Sequence, residues 1–331
     1  MPTCAGNACS TSAAKAICIS NGFPGRHRRL ASDPPTATIP TMSANEPALR
    51  PPFAPDPEEA SWLEAARAGH LPALDVLLRR HRPWIFNLAL RMVWRRDAAE
   101  DATQEILLKA VTHLGGFEGR SRFSTWLYRI AVNHLLNVRR SEMEAQRMTF
   151  ADLGRSLDDC ADTDLPDERA LPIGHGLLVE EAKLGCITAM LMCLDRRQRL
   201  AFILGEVFGL TGEEGAEVLE ITPANFRQLL ARARRDLYGF MQDKCGLVNS
   251  ANPCRCAKKA GAFMRQGWLD PQRRQFTPGR LAAVRDLAPD RLAELDSLQH
   301  THAEIFRATP VGDAPAVWTR LRAALAASNL S

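Results

Sequence analysis

At 3.6 residues per turn, Trp126, Arg129, Asn133, Asn137 and Arg140 line one side of a helix, so a ring, cations and amides share an exposed face. That is the chemistry of a reader of unpaired nucleic acid: cations hold phosphate, an aromatic ring stacks on a base, and amides address its edge. Ahead of it, Gly115-Gly116-Phe117-Glu118-Gly119 is a pliable loop able to wrap a base that has left the duplex. A core role for Trp126 is the plain alternative. A second constellation stands at Ala224, Asn225, Arg227 and Gln228, where Asn and Gln suit adenine and Arg suits guanine in the major groove. Arg232, Arg234 and Arg235 follow as phosphate clamps or solvated cations.

These residues need helices to position them. The spacing predicts an amphipathic helix from Asp97, with Ala98, Ala102, Ile106, Ala110, Val111 and Leu114 on its apolar face. Asp97, Glu100, Asp101, Gln104 and Glu105 lie opposite, with Leu108 among them, which suits a protein-docking face as well as a solvated surface. The helix carrying Trp126 takes Ser124 as its N-cap and Leu127, Ile130, Ala131, Leu135 and Val138 as its core stripe. Farther on, a helix from Leu194 ends at Gly209, Thr211 caps a short helix 212–219, and Thr222 with Pro223 opens a third helix to about Met241. Two helices joined by a short turn, the second rich in arginine, make a helix-turn-helix.

At this point the residues resemble a family. Asp97-Ala-Ala-Glu-Asp-Ala-Thr-Gln-Glu105-Ile-Leu-Leu-Lys-Ala110 followed by Phe117-Glu-Gly-Arg-Ser-Arg-Phe-Ser-Thr-Trp-Leu-Tyr-Arg-Ile-Ala-Val-Asn-His134 is similar to the second conserved region of sigma-70 family initiation factors. The likeness is strongest to the compact extracytoplasmic-function group. The block from Leu194 to Leu237, closing on Leu230-Ala-Arg-Ala-Arg-Arg-Asp-Leu237, resembles the fourth region.

The resemblance implies docking on the clamp helices of RNA polymerase by Asp97, Glu100, Asp101, Gln104, Glu105 and Leu108. It implies melting and reading of a minus-10 element by Phe117, Arg120, Arg122, Trp126, Arg129, Asn133, Asn137 and Arg140. It implies reading of a minus-35 element by Thr222, Ala224, Asn225, Arg227, Gln228, Arg232 and Arg234. Leu229 departs from the pattern, where a basic residue is expected, as do Ala224 and Phe226, so the promoter sequence does not follow from the residues.

The expected fold is all-α: a disordered leader 1–57, a docking and minus-10 domain 58–141, a flexible acidic linker 142–180, a helix-turn-helix domain 181–244 and a helical extension 245–331. The connector reading rests on composition, since 151–182 carries nine acidic residues against two arginines, with Pro166 and Pro172. Residues 62–140, by contrast, hold thirteen Lys or Arg against seven Asp or Glu, a stronger pointer to DNA than the net charge of +4. The leader lacks the apolar core of a secretory signal, and Met42 opens a more typical start, so 1–41 reads as a start-site artefact that N-terminal sequencing of the native protein would test. No apolar run approaches the roughly 20 residues of a membrane span, so no membrane partner is expected and the location is read as cytoplasmic.

Nine cysteines are many for this length. Cys4, Cys9 and Cys18 lie in the leader, while Cys186 and Cys193 share a helix face and read as core thiols. Cys245, Cys254 and Cys256 form a cluster within twelve residues, with Lys258 and Lys259 beside them. Three thiols this close can converge on a soft metal, form a redox pair or simply pack, and a closed tetrahedral site needs a fourth ligand, for which His300 and His302 are candidates. No other cofactor is called for.

Beyond them 279–287, 289–307 and 314–327 read as amphipathic helices. By resemblance this extension can act as a self-inhibitor in place of an anti-sigma factor. No Gly-rich phosphate loop, metalloprotease His-Glu pair or Gly-x-Ser-x-Gly elbow occurs, so the chain is expected to act by binding rather than as an enzyme. The competing readings are a helix-turn-helix regulator of duplex DNA, which leaves 97–140 unexplained, and a metal or redox sensor with degenerate DNA domains.

Overall fold

The computed structural model describes residues 53, 56–138, 148–172 and 174–272. Arg140, the leader cysteines, His300, His302 and the three expected C-terminal helices lie outside the described residues. Among those described, the fold is all-α, with one isolated β-bridge between Cys245 and Cys254.

The first bundle contains α1 (Glu59–Arg67), α2 (Leu71–Val93), α3 (Arg96–His113) and α4 (Phe123–Asn137). The His70 ring caps α2 by accepting the Ala73 amide at 3.3 Å. Leu77, Ile85, Phe86 and Leu88 of α2 pack with Ile106 and Leu107 of α3 and Leu127, Tyr128 and Leu135 of α4. Each such side chain contributes about 1.5–3 kcal/mol when withdrawn from water. The apolar arc of α3 is wider than its periodicity suggested. Ala99, Thr103 and Leu107 are buried together with Ala102, Ile106 and Ala110, because α3 packs on both α2 and α4. Helix α4 starts one residue before the expected cap: Arg122 is the N-cap residue, makes no side-chain cap bond, and leaves Ser124 buried inside the first turn.

The interval read as a flexible connector contains a helix, α5 (Phe150–Asp159). Thr149 and Asp152 form a capping box, each side chain accepting the other's amide, and Leu153 and Leu157 are buried. Averaged composition hid that short amphipathic pattern among acidic neighbours.

The second bundle is α6 (His175–Met192), α7 (Arg196–Phe202) running into a π turn (Ile203–Val207), α8 (Gly212–Leu219) and α9 (Pro223–Lys244). Thr211 and Thr222 cap α8 and α9 as their sequence contexts imply. Gly215 lets the two helices of the turn meet, since a Cβ there would lie 2.2 Å from the Phe226 ring. Helix α10 (Cys256–Arg265), in the stretch expected to form an extension, packs on α6.

Candidate nucleic-acid interface

On α3, Asp97, Asp101 and Glu105 are exposed and Glu100 and Gln104 half-exposed, while Leu108 is half-buried against the core and only partly available. Neighbouring arginines hold two of the acids: Arg95 bonds Asp97, and Arg96 Nε donates to Glu100 Oε1 at 3.1 Å. The Arg95 hydrogen bond is the main cause holding the Asp97 carboxyl below the usual range.

On α4 the aromatic chemistry differs from expectation. Phe117 is 5% exposed and packs edge-on to Phe123, with Trp126 tilted against both at centroid distances of 5.3 and 5.6 Å. Phe117 therefore supports the ring of Trp126 from below and offers no free face to a base. Apolar drive wins over display here because three rings meet where the glycine turn reverses the chain. Trp126 and Arg129 are both half-buried. Arg120, Arg122, Asn133 and Asn137 are exposed, and Arg120 pairs with Glu118. The Asn137 amide donates to the Asn133 carbonyl at 2.8 Å.

On α9, Thr222, Ala224, Asn225, Arg227, Gln228, Arg232 and Arg234 are all exposed, and Phe226, Leu230, Ala233 and Leu237 form the buried side. The Thr222 hydroxyl accepts the Asn225 amide at 3.2 Å. Arg234 is not a free phosphate clamp. Its Nε donates to Glu206 Oε1 at 2.6 Å, and Tyr238 donates to the other oxygen of this buried carboxylate at 3.3 Å. A buried acid without a partner is costly, so Arg234 is committed to the core of its own domain.

The two bundles also touch, which no local pattern announced. Acidic residues around α8 meet the cationic face of α4: Arg122 pairs with Glu214, Arg129 lies 3.6 Å from both Glu217 and Glu220, and the Asn133 amide donates to Glu220 at 3.1 Å. Burial pushes the Glu214 carboxyl up, but the Thr211 amide and hydroxyl and the Arg122 guanidinium outweigh it and leave it below its ordinary value. Arg196 Nη1 donates to the carbonyls of Leu135, Leu136 and Val138 at 2.7–3.1 Å, closing the open end of α4. Arg199, 1% exposed, bonds the carbonyls of Leu191, Met192 and Leu194 and, across the bundle boundary, that of Met92 at 2.8 Å. A buried arginine is visible in a sequence only as one more cation.

The α2–α4 bundle and the α6–α9 bundle each match a known family: sigma-70 region 2 over residues 77–144 and sigma-70 region 4 over residues 184–237. The RNA polymerase sigma-H factor of Pseudomonas aeruginosa is 30% identical over 193 residues, 56% of this chain and 94% of the relative. The chain belongs to the sigma-70 family, in its extracytoplasmic-function group. The sigma-E factor of Haemophilus influenzae, of that group, is likewise 30% identical, over 56% of this chain and 95% of the relative. A solved complex of the sigma factor RpoE with the anti-sigma factor NepR from Bartonella quintana superposes with a TM-score of 0.31 at 23% identity, over 49% of this chain and 91% of that one. This sigma factor binds core RNA polymerase and promoter DNA and directs transcription initiation. Sigma factors are initiation factors and not enzymes. The region 2 match covers the block that a duplex-binding regulator leaves unexplained, and it removes that alternative. No described helix is long and apolar enough to cross a membrane.

The cysteines are placed differently from their sequence reading. Cys193 is half-buried, and burial pushes its thiol up to about 12. Cys186, read as a core thiol, instead lines a cavity together with Cys245, Cys254 and Cys256. Burial, then the other thiols of the group, pushes the Cys186 thiol well up, and the same causes push Cys256 to about 12.

Proposed function

We propose that residues 58–141 of this sigma factor dock on polymerase and open and read the minus-10 element, and that 181–244 read the minus-35 element. Asp97, Glu100, Asp101, Gln104 and Glu105 serve as docking contacts, with Leu108 contributing its outer edge. Arg122, Trp126, Arg129, Asn133 and Asn137, with Arg120 and Arg140 flanking, take the melted strand, while Phe117 braces Trp126. Asn225, Arg227 and Gln228 read base edges, with Thr222 and Ala224 at the helix start and Arg232 on phosphate. The observation that carries this reading is the half-buried Trp126 flanked at helical spacing by Arg129 and Asn133, on the helix that follows the acidic face of α3. Residues 142–180 act as the connector, and residues from 245 onward act as a cysteine-bearing, regulatory extension, in a cytoplasmic protein.

The form described here is closed. Glu214, Glu217 and Glu220 occupy the cations and amide that a DNA strand would use, so region 4 stands in for phosphate on the reading face of region 2. Among the described residues this self-masking comes from region 4 rather than from the extension. Run-off transcription with purified core polymerase tests the whole reading. Initiation without another sigma factor, lost on Trp126→Ala, is the expected result; closed promoter strands with bound polymerase would overturn it.

A further inference from the structure

Four cysteines distant in sequence line one cavity of about 30 Å³, room for a single ion or water-sized group. Cys186 comes from the middle of α6, Cys245 follows the end of α9, and Cys254 and Cys256 lead into α10. The rest of the lining is apolar side chains with Lys183 and Lys244 at the edge.

The backbone between the thiols is tightly organised. Cys245 and Cys254 pair as a parallel bridge, and the approach depends on Gly246, where a Cβ would lie 2.1 Å from the Cys254 carbonyl oxygen. The Cys245 carbonyl accepts the amides of Val248 at 3.3 Å and Asn249 at 3.0 Å, so the chain turns directly after this cysteine. The Asn252 side chain bonds that same carbonyl at 3.3 Å, and Arg255 ties back to the Ser250 carbonyl at 2.8 Å.

We propose that Cys186, Cys245, Cys254 and Cys256 form a four-thiolate site for a thiophilic divalent cation of the zinc class, which clasps the extension to the region 4 domain. Among the described residues no group of three or more histidine, cysteine, aspartate or glutamate side chains stands close enough to hold a metal ion, so the proposal requires the four thiols to draw together around the cation. Each thiol gives its proton to solvent and no electron moves. Four ligands from soft sulfur match the closed tetrahedral coordination of a structural site, which the three extension cysteines alone cannot complete. The cation also supplies the positive charge that four buried thiolates need, with Lys183 and Lys244 nearby to offset the excess.

The proposal rests on the reading of 245 onward as an extension joined to region 4, and not on promoter recognition, so its test reads metal directly. Full-length, reduced protein with Cys4, Cys9 and Cys18 changed to serine is titrated anaerobically with Co²⁺, then with competing Zn²⁺. One equivalent of Co²⁺ should bind, with thiolate charge-transfer bands and the intense visible bands of a tetrahedral centre, and Zn²⁺ should bleach them. Cys186→Ser should weaken binding by more than about 100-fold, since even changes to groups that merely support a metal ligand cost about 10–100-fold. Cys193→Ser, on the same helix but away from the cavity, should bind as the parent does. Should Cys186→Ser fail to fold, alkylation mapping of the parent replaces it: zinc should protect the four cavity cysteines and leave Cys193 reactivity unchanged. No stoichiometric uptake, undiminished binding in a folded Cys186→Ser protein, or protection that omits Cys186 overturns the proposal.

Discussion

Trp126 and Phe117 belong to one aromatic cluster but do different work, and substitution separates them. Trp126→Ala removes a stacking partner worth about 1–3 kcal/mol per base, so promoter opening measured by a fluorescent base analogue should fall, with Trp126→Phe recovering part of it. Phe117→Ala instead leaves a cavity beneath Phe123 and Trp126 and should destabilise the fold by about 3–5 kcal/mol in denaturant titration. An equal loss of opening from both variants at full stability would contradict that division. On α9, Arg227→Ala should cost about 1–3 kcal/mol at one promoter base pair and leave the salt dependence of binding nearly intact. Arg232→Ala should weaken all sequences alike and flatten that dependence. Arg234→Ala should act on stability by stripping the buried Glu206 carboxylate of its guanidinium partner, at about 1–3 kcal/mol in thermal unfolding, more than its effect on any promoter base. The residue types on these helices were readable from spacing. Which of them were already engaged was not, because Glu206 and Arg234 look like ordinary surface charges until the turn folds them together.

At the scale of elements, α8 is the unexpected one: a short acidic helix of region 4 that lies against the cations of α4 in region 2. Glu214→Gln combined with Glu220→Gln should release α4, seen as a longer distance between labels on region 2 and region 4 and as tighter binding of melted minus-10 strand without polymerase. Unchanged distances would show that the apolar contacts of α8, not its charges, hold the closure. The pH dependence has a definite sign. The Glu214 carboxyl lies below its ordinary value of 4.5 in the folded form, so its contribution is complete above 4.5 and fades as pH falls through the lowered value. Closure measured with the same labels should therefore weaken on acidification and stay flat from neutral pH down to about that ordinary value. Much of the element plan was legible. Threonine caps at Thr211 and Thr222, proline at Pro223 and the 3.6-residue stripes are local signals, and they placed α8 and α9 within a few residues. Helix α5 escaped because Phe150, Leu153 and Leu157 are sparse among acids whose composition favours disorder, and only packing against α6 rewards them.

The whole molecule is joined by two devices that bridge distant segments, the first of them buried. One is Arg199, whose guanidinium binds three carbonyls of its own bundle and the Met92 carbonyl of the other. Arg199→Leu should lower the thermal midpoint sharply, because it strands buried carbonyls at about 1–3 kcal/mol each, and it should also loosen region 2 from region 4. Arg199→Lys, with fewer donors, should fall between; parent-like stability in both would refute the bridging role. The other joins the acidic connector to the extension. Lys258 pairs with Asp164 at 3.2 Å, Lys259 with Asp162 at 3.1 Å, and Gly261 allows the Thr163 carbonyl within 2.5 Å of where a Cβ would stand. The negative connector is thus covered by cations of its own chain, a pairing that composition alone could not assign.

By itself the amino-acid sequence determined the helical class, the order of the two DNA-reading units, the caps of the helix-turn-helix and the family. Each of these is written in short-range periodicity and in residue types that act within a turn or two. Only the tertiary structure decided that Phe117 is buried, that Glu214 and Glu220 cover Arg122 and Asn133, and that Cys186 joins cysteines some sixty residues away. Those outcomes depend on which faces meet across long stretches of chain, and that is settled by the collective burial of apolar surface, for which no single residue carries a label.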